Sequence, residues 1–476
     1  MATITDNLIL SKSLALIEKT RTSILQIDTS AFPTPSSGTA RKMLLDTLDS
    51  LADPKFWSPM SPEALLNVLL SMQQMVELLE RSSSAHISWP LVSYCDRFCK
   101  LIFASSPDVE IFYSVCSDHN YWMESFAYRL KTLLRRVLPP EEIERLLDGR
   151  QLYCLQIASV EDENLPLYAN LGHEFGHALD WSDTNRLARI VENECFPTLV
   201  AIREEMEKTN KHAAARSVPR LGQIVRSLAT ELFCDQVGAL IAGPAFLLSL
   251  HEIGWGSSMG SWVVRLIPKD ANIKAYPSFA FRLACVRGFI DLPTFRAGMA
   301  NRTEPLFTSI PELLSHTDEA HDSDTVIVKP ESEQDASALR SAMEKQLPAL
   351  KQALHAVLKR TAAEMLAPLR DLAEFQPCNG NHVVELIRRL LADIVPNIIP
   401  NGTLLGERAS FSAILNASAL HRMRLLSERK TETSARDMHR TIQKLDRLTA
   451  KAFEVSYIQG EFKKWEAENR ERSKQT

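Results

Sequence analysis

Apolar residues recur at helical spacing through the first 150 residues of the chain. The pattern is clear near the N-terminus and again from Pro62 to Leu79, and the intervening stretch Phe32 to Gly38 is typical of a loop. The pair Pro139-Pro140, followed by Glu141 and Glu142, indicates a new helix. We therefore predict a helical N-terminal region over residues 1–150.

The pattern changes at about residue 151. Gln151 to Val160 is rich in residues that favour strands, and it precedes the apolar, helix-permissive stretch Leu171 to Trp181. A strand ahead of this helix would offer an edge on which an extended peptide could lie. We expect a catalytic domain over residues 151–315 that contains both segments.

The remainder of the chain is acidic at first and then helical. Residues 316–336 carry many Asp and Glu residues around the short apolar stretch Val326 to Val328, and we interpret them as a linker or surface loop. A C-terminal helical region follows over residues 337–476. The last helical stretch of this region, from Met438 to Ile458, carries a stripe of apolar residues. We expect this stripe to pack onto the protein's own helices, and the alternative is that it binds a partner. The whole pattern predicts a mainly α protein with a small β-sheet.

Composition narrows the class of protein. The 476 residues are 45% hydrophobic and 24% charged, which is typical of a soluble protein, and the formal net charge of −5 gives no reason to expect nucleic acid as a partner. The longest apolar run, Val237 to Leu250, is too short to span a membrane. The eight cysteines show no metal-ligand repeat. We therefore expect reduced thiols and a cytoplasmic location.

The candidate chemistry lies in Leu171 to Trp181, which contains His173, Glu174 and His177 in a His-Glu-x-x-His pattern. Histidines four apart share one helix face, so both imidazoles can bind one cation, for which Zn²⁺ is the natural candidate. Glu174 can then act as the general base. Asp180, seven positions after His173, lies on the same face and could orient an imidazole.

Two later clusters extend this picture. Glu231 and Asp235 are four apart on an apolar helix, where one carboxylate could bind metal while the other holds an imidazole or supports the first. Further on, Tyr276-Pro277 is followed by Arg282, five residues after the proline.

Together the three clusters resemble the gluzincin metallopeptidases, and most closely the prenyl-protein (CAAX) endopeptidases and their HtpX-type relatives. The resemblance covers about residues 150–290. It implies His173, His177 and Glu231 as zinc ligands, Glu174 as base, Asp235 as support behind a ligand and Arg282 as a structural or substrate-side charge. Three departures stand out. Tyr276 replaces the usual histidine before the proline, although a phenol could stabilise an oxyanion equally; Cys234 replaces the usual alanine; and the family's membrane-spanning helices are missing.

The sequence thus predicts a zinc metalloendopeptidase that hydrolyses protein or peptide substrates by a metal-activated water, with Tyr276 or Arg282 as the group that stabilises the tetrahedral oxyanion. Three alternatives remain. Asp183 could replace Glu231 as third ligand, as in a metzincin-like pattern, although no glycine permits the sharp turn. The chain could instead be a regulatory or scaffold protein with a structural or inactive zinc site, binding partners through its helical regions. It could also be a helical interaction protein without metal.

Overall fold

In a computed structural model the chain forms two compact units, Met1–Asp162 and Glu163–Thr476. The structure describes residues 4–475 except 57–60, 84–86, 105, 107, 117–120, 159–164, 210, 255–259, 267–272, 301–324, 330–332, 402–405 and 428–433. Helices make up most of the described chain, with three small sheets. The predicted mainly α fold with little β-structure is confirmed.

In its described residues the first unit combines six α-helices with a three-stranded sheet. The helices are α1 (Ile4–Gln26), α2 (Pro35–Ala52), α3 (Pro62–Glu80), α4 (Trp89–Ile102), α5 (Phe126–Leu134) and α6 (Pro140–Leu147). Proline at the first helical position begins α2, α3 and α6, as its fixed φ favours. A hydrogen bond links α2 to α6, because the hydroxyl of Ser50 in α2 donates to the carboxylate of Glu142 in α6. Arg145 of α6 donates a second hydrogen bond to the same carboxylate.

The sheet of the first unit contains β1 (Val109–Cys116), β2 (Trp122–Ser125) and β3 (Gln151–Ala158), in the order β1-β3-β2. The predicted strand at residue 151 is therefore confirmed. The prediction that it offers a free edge is wrong, because β3 is central: β1 pairs with it in parallel along its full length, and β2 pairs with it antiparallel on the other side. No second edge of β3 remains to bind a peptide.

The second unit begins with a 3-10 turn at Leu165–Asn170 and continues through the helices that carry the candidate site. These are α7 (Leu171–Ser182), α8 (Thr184–Thr209), α9 (Lys211–Ala242), α10 (Pro244–Gly254), α11 (Phe279–Phe289) and α12 (Leu292–Ala300). Between α10 and α11 lie β4 (Trp262–Leu266) and β5 (Ile273–Tyr276).

The acidic segment after residue 315 contributes to this unit. Within it, β6 (Val326–Lys329) pairs in parallel with β4, which pairs antiparallel with β5 on its other side. Val326 and Val328 are buried. The prediction that these residues belong to a linker or surface loop is therefore wrong. They form a strand whose alternate apolar side chains are buried on one face of the sheet. The rest of the predicted linker lies mainly outside the described residues.

The C-terminal helices are α13 (Glu333–Glu364), α14 (Ala367–Arg370), α15 (Gly380–Leu391), α16 (Phe411–Ser427) and α17 (Ala435–Gln475), with β7 (Ile398–Ile399) and β8 (Glu407–Arg408) between α15 and α16. α13 packs against α8 and α9, where Thr361 donates a hydrogen bond to the buried Gln236 side chain. Among the described helices, none combines the length and apolar character needed to cross a bilayer.

The stripe predicted for the last helix packs partly onto the protein itself. Leu445, Ala452 and Phe453 of α17 are buried against neighbouring elements, and the Phe453 ring stacks on Tyr168, just before α7. Beyond this contact Phe462 and Trp465 are each more than half exposed. The helix therefore has a packed first part and an exposed apolar face near its end.

Candidate metal centre

Helices α7 and α9 form the centre by an unusually close approach. A Cβ atom added at Gly176 would lie 2.6 Å from the Cα of Cys234, and one added at Gly172 would lie 2.8 Å from the Cα of Gly238. Only glycine leaves room for the facing backbone at these two positions of α7. The contact explains the two glycines in the His-Glu-x-x-His stretch, and it brings the polar faces of the two helices together.

Three polar side chains converge where these faces meet. The Nε2 atom of His173 lies 3.5 Å from one carboxylate oxygen of Glu231, and the Nε2 atom of His177 lies 3.9 Å from the other. The three side chains are 11%, 18% and 13% exposed, in the order His173, His177, Glu231. The group is thus largely buried while remaining open to a small ligand.

The second nitrogen of His173 is held from behind. Its Nδ1 lies 2.9 Å from Asp235, whose carboxylate also accepts two hydrogen bonds of 2.8 Å from the Nε and Nη2 atoms of Arg282. A carboxylate at Nδ1 fixes the orientation of the imidazole and leaves Nε2 directed towards Glu231. Arg282 is positioned because Ser278 caps the first turn of α11.

The pKa shifts of His173, His177 and Asp235 follow from the burial and the hydrogen bonds of this centre. Burial by itself disfavours a charged His173, but its hydrogen bond with Asp235 and its contact with Glu231 raise its pKa. Burial lowers the pKa of His177 to about 4, so this imidazole is neutral at pH 7. Burial also opposes ionisation of Asp235, yet Arg282 and His173 outweigh it and lower the pKa of that carboxyl. The centre therefore holds ionised carboxylates beside imidazole nitrogens.

His177 is oriented by an aromatic ring. The indole of Trp181 stacks on its imidazole at a centroid distance of 5.7 Å and an interplanar angle of 25°. Trp181 comes one turn after His177 on α7, which is the spacing that allows such a contact. The sequence signal was present in this i, i+4 spacing, but our sequence reasoning missed it.

Asp180 does not contact either imidazole, although we predicted that role. Its carboxylate binds the guanidinium of Arg226 and accepts a 3.2 Å hydrogen bond from Thr230, both on α9. Seven residues correspond to about 10 Å along a helix axis, so Asp180 shares the face of His173 but lies too far along it. Through these contacts Asp180 links the C-terminal half of α7 to α9.

The remaining predicted residues are Glu174, Tyr276 and Asp183. Glu174 is buried on α7, and Tyr276 ends β5. Burial raises the pKa of Tyr276, and the negative charges of Glu231 and Glu174 add to this effect, so the phenol lies within electrostatic range of both. Asp183 is exposed at the end of α7 and lines a surface depression with Arg186.

Cys234 offers a second possible third ligand. Its Sγ and ring nitrogens of His173 and His177 all lie within 4.8 Å of one another. The two sets, with Glu231 or with Cys234, compete for the same two imidazoles. Burial, reinforced by the surrounding carboxylates, raises the pKa of the Cys234 thiol, and the side chain packs against Gly176 in the helix contact.

No family model, curated protein or solved structure matches the chain.

Proposed function

We propose that the chain is a zinc-dependent metallopeptidase with the centre of a gluzincin. The observation that carries the proposal is the convergence of two imidazole Nε2 atoms on the two oxygens of the Glu231 carboxylate. Two imidazole nitrogen donors and one carboxylate oxygen donor are a set that catalytic zinc sites use, with a fourth position left to water. The resemblance of the three sequence clusters to this clan supports the same proposal.

The ligand spacing fits zinc without a large rearrangement. Nitrogen and oxygen ligands of a tetrahedral zinc ion lie about 3.3 Å apart, since the bonds are about 2.0–2.2 Å long. The observed separations of 3.5 and 3.9 Å are close to this value. We favour Glu231 over Cys234 because its oxygens face both Nε2 atoms at these distances, whereas the sulfur group spans up to 4.8 Å and the thiol fills the contact at Gly176.

The protein's own residues have separate tasks in the proposed hydrolysis. When bound, zinc supplies a Lewis acid that lowers the pKa of a water molecule and polarises a substrate carbonyl. Glu174 accepts the proton of the attacking water on its carboxylate and donates it to the leaving amine. The carboxylate of Asp235 accepts a hydrogen bond from Nδ1–H of His173 and so keeps the imidazole in position. Arg282 keeps Asp235 ionised, because its guanidinium already binds that carboxylate.

Tyr276 is the proposed donor to the developing oxyanion. Its phenol is half-buried at the end of β5, and its raised pKa keeps the hydroxyl protonated at neutral pH. A protonated hydroxyl can donate a hydrogen bond to negative charge that forms in the transition state. The proposed substrate is a protein or peptide.

The test compares the purified full-length protein with its Glu174→Gln variant on a mixed peptide library read by mass spectrometry. We expect the variant to bind zinc as the wild type does and to lose at least about 100-fold in cleavage rate, because general base catalysis contributes about 10²–10⁴-fold. Glu192→Gln, an exposed glutamate of α8, is the matched control and should cleave normally. Wild-type cleavage rates in a zinc-loaded Glu174→Gln protein would contradict the assignment.

A second candidate is a regulatory or scaffold protein whose zinc site is structural or inactive. The exposed Phe462 and Trp465 near the end of α17 favour it, because an apolar face of this kind is typical of helices that bind partners. Full zinc occupancy without cleavage of any library member would support this candidate over the peptidase.

A further inference from the structure

A second cavity lies in the same unit, away from the residues of the metal centre. It has a volume of about 750 Å³, within the range of about 300–1,000 Å³ for small-molecule sites. It is a half-open cavity bordered by the C-terminal ends of α9 and α11, by α12, and by the chain between α14 and α15. No task in the proposed hydrolysis involves any residue of its lining.

The walls of this cavity are mainly apolar. Their large side chains come from four different parts of the unit: Leu240, Phe289, Phe295, Phe375 and Pro377. One side is rigid, because Gly380 at the start of α15 packs directly on the backbone of Phe295 and Gly298 in α12, where a larger residue has no room. A preformed apolar cavity of this size favours a ligand with a hydrocarbon or aromatic body.

Among the described residues that line the cavity, Arg370 is the single cation, and it forms no ion pair with a described carboxylate. The guanidinium of Arg370 lies over the Phe289 ring, 4.5 Å from its centroid, and no described carboxylate forms an ion pair with it. Burial lowers the pKa of Arg370, and no nearby acid counteracts that effect. A partly desolvated guanidinium stacked on an aromatic ring retains free N–H donors for an anion.

The other charged residue of the described lining, Asp291, already has a hydrogen-bond partner. Asp291 accepts a 3.0 Å hydrogen bond from the backbone N–H of Thr294 at the start of α12, and this hydrogen bond lowers its pKa. The positive end of the α15 dipole adds to the potential, since Asn379 and Gly380 at that end also line the cavity. The region around Arg370 is therefore the part of the cavity that favours an anion.

We propose that this cavity binds a small amphipathic carboxylate, with the apolar body between the aromatic side chains and the carboxylate on Arg370. A guanidinium binds a planar carboxylate through two parallel N–H···O hydrogen bonds. The proposal does not depend on the metal centre.

Isothermal titration calorimetry of the full-length protein with decanoate tests the proposal. Decan-1-ol and decylamine share the chain length but replace the carboxylate with a neutral or a cationic head. We expect saturable binding of one decanoate per protein, and roughly 10- to 150-fold weaker binding of the alcohol, because the charge-assisted hydrogen bonds to Arg370 are lost. Decylamine should not bind in the cavity.

Two variants and one control locate the ligand. Arg370→Gln should weaken decanoate binding about tenfold, and Ala297→Trp should abolish it, because residue 297 is exposed at the cavity wall and an indole there fills the space. Arg436→Gln, an exposed arginine of α17, should bind as the wild type does. Equal affinity for decanoate and decan-1-ol, or unchanged decanoate binding in either cavity variant, overturns the proposal. So does the lack of saturable decanoate binding to the wild type.

Discussion

Substitution of Asp235 by asparagine tests the two roles of this carboxylate, as counter-ion of Arg282 and as hydrogen-bond acceptor for His173. The wild-type carboxylate accepts two hydrogen bonds from Arg282 and lies 2.9 Å from Nδ1 of His173. Asparagine has nearly the same shape but no charge, so the guanidinium of Arg282, only 9% exposed, loses its nearest counter-ion and keeps only the carboxylate of Glu231, 4.0 Å away. The imidazole loses the acceptor that fixes its orientation.

The expected magnitude follows from this burial. Removing one partner of a buried ion pair costs about 3–5 kcal/mol, and we expect the lower end, about 3 kcal/mol, because the amide oxygen of asparagine still accepts one hydrogen bond. Loss of the group behind a metal-binding histidine typically costs about 10–100-fold in metal affinity. Both losses should appear in the same variant.

The assay measures urea unfolding of metal-free protein and zinc affinity by competition with a chromophoric chelator. Adding Arg282→Met to Asp235→Asn removes the unpaired charge, so the double variant should regain stability but not zinc affinity. Glu207→Gln is the control, since its exposed pair with Arg203 contributes at most about 1 kcal/mol. An Asp235→Asn protein with wild-type stability and zinc affinity would refute the reasoning.

Three further predictions concern packing, pH and the second histidine. Gly176→Ala should destabilise the protein by about 1–3 kcal/mol through overpacking and weaken zinc binding, whereas Gly222→Ala, which meets no neighbour within 4 Å, should be neutral or stabilising in thermal unfolding. Hydrogen bonds from its arginine and serine partners lower the pKa of Glu142 from 4.5 to about 2, so it stabilises the fold above pH 4.5. The stability difference between wild type and Glu142→Gln should therefore shrink as the pH falls from 4.5 to about 2, and a constant difference in acid titration would contradict this. Trp181→Ala should weaken zinc binding more than Trp181→Phe does, because phenylalanine still stacks on His177; equal affinities would exclude an orienting role.

The sequence predicted best what lies on a single helix. The i, i+4 spacing placed His173 and His177 on one face of α7, and the structure brings their rings together. Asp180 shares this face but binds Arg226 and Thr230, because a shared face does not mean a shared position along the axis. The i, i+4 spacing of His177 and Trp181 permits their contact, but whether the indole stacks there or enters the core depends on how the neighbouring helices pack.

Relations between distant segments were harder to predict. The contact of Glu231 with both histidines needs α9 to cross α7 at the two glycines. The expected burial of Glu231 and Asp235 suggested that one of them binds metal, and only the family resemblance indicated which one. The free edge expected at β3 failed because its partner strands, β1 and β2, begin 42 and 29 residues before it and carry no separate signal for pairing. Pairing in a sheet depends on tertiary packing more than on local propensity.

The most direct test of the central claim is the zinc content of the purified protein beside its Glu231→Ala, Cys234→Ala and Asp183→Ala variants. Our account predicts about one zinc per chain in the wild type, loss of zinc in the Glu231 variant and retention in the other two. Loss of zinc only with Cys234 or Asp183 would move the third ligand to that residue. A wild-type protein that binds no zinc would contradict the metal centre itself.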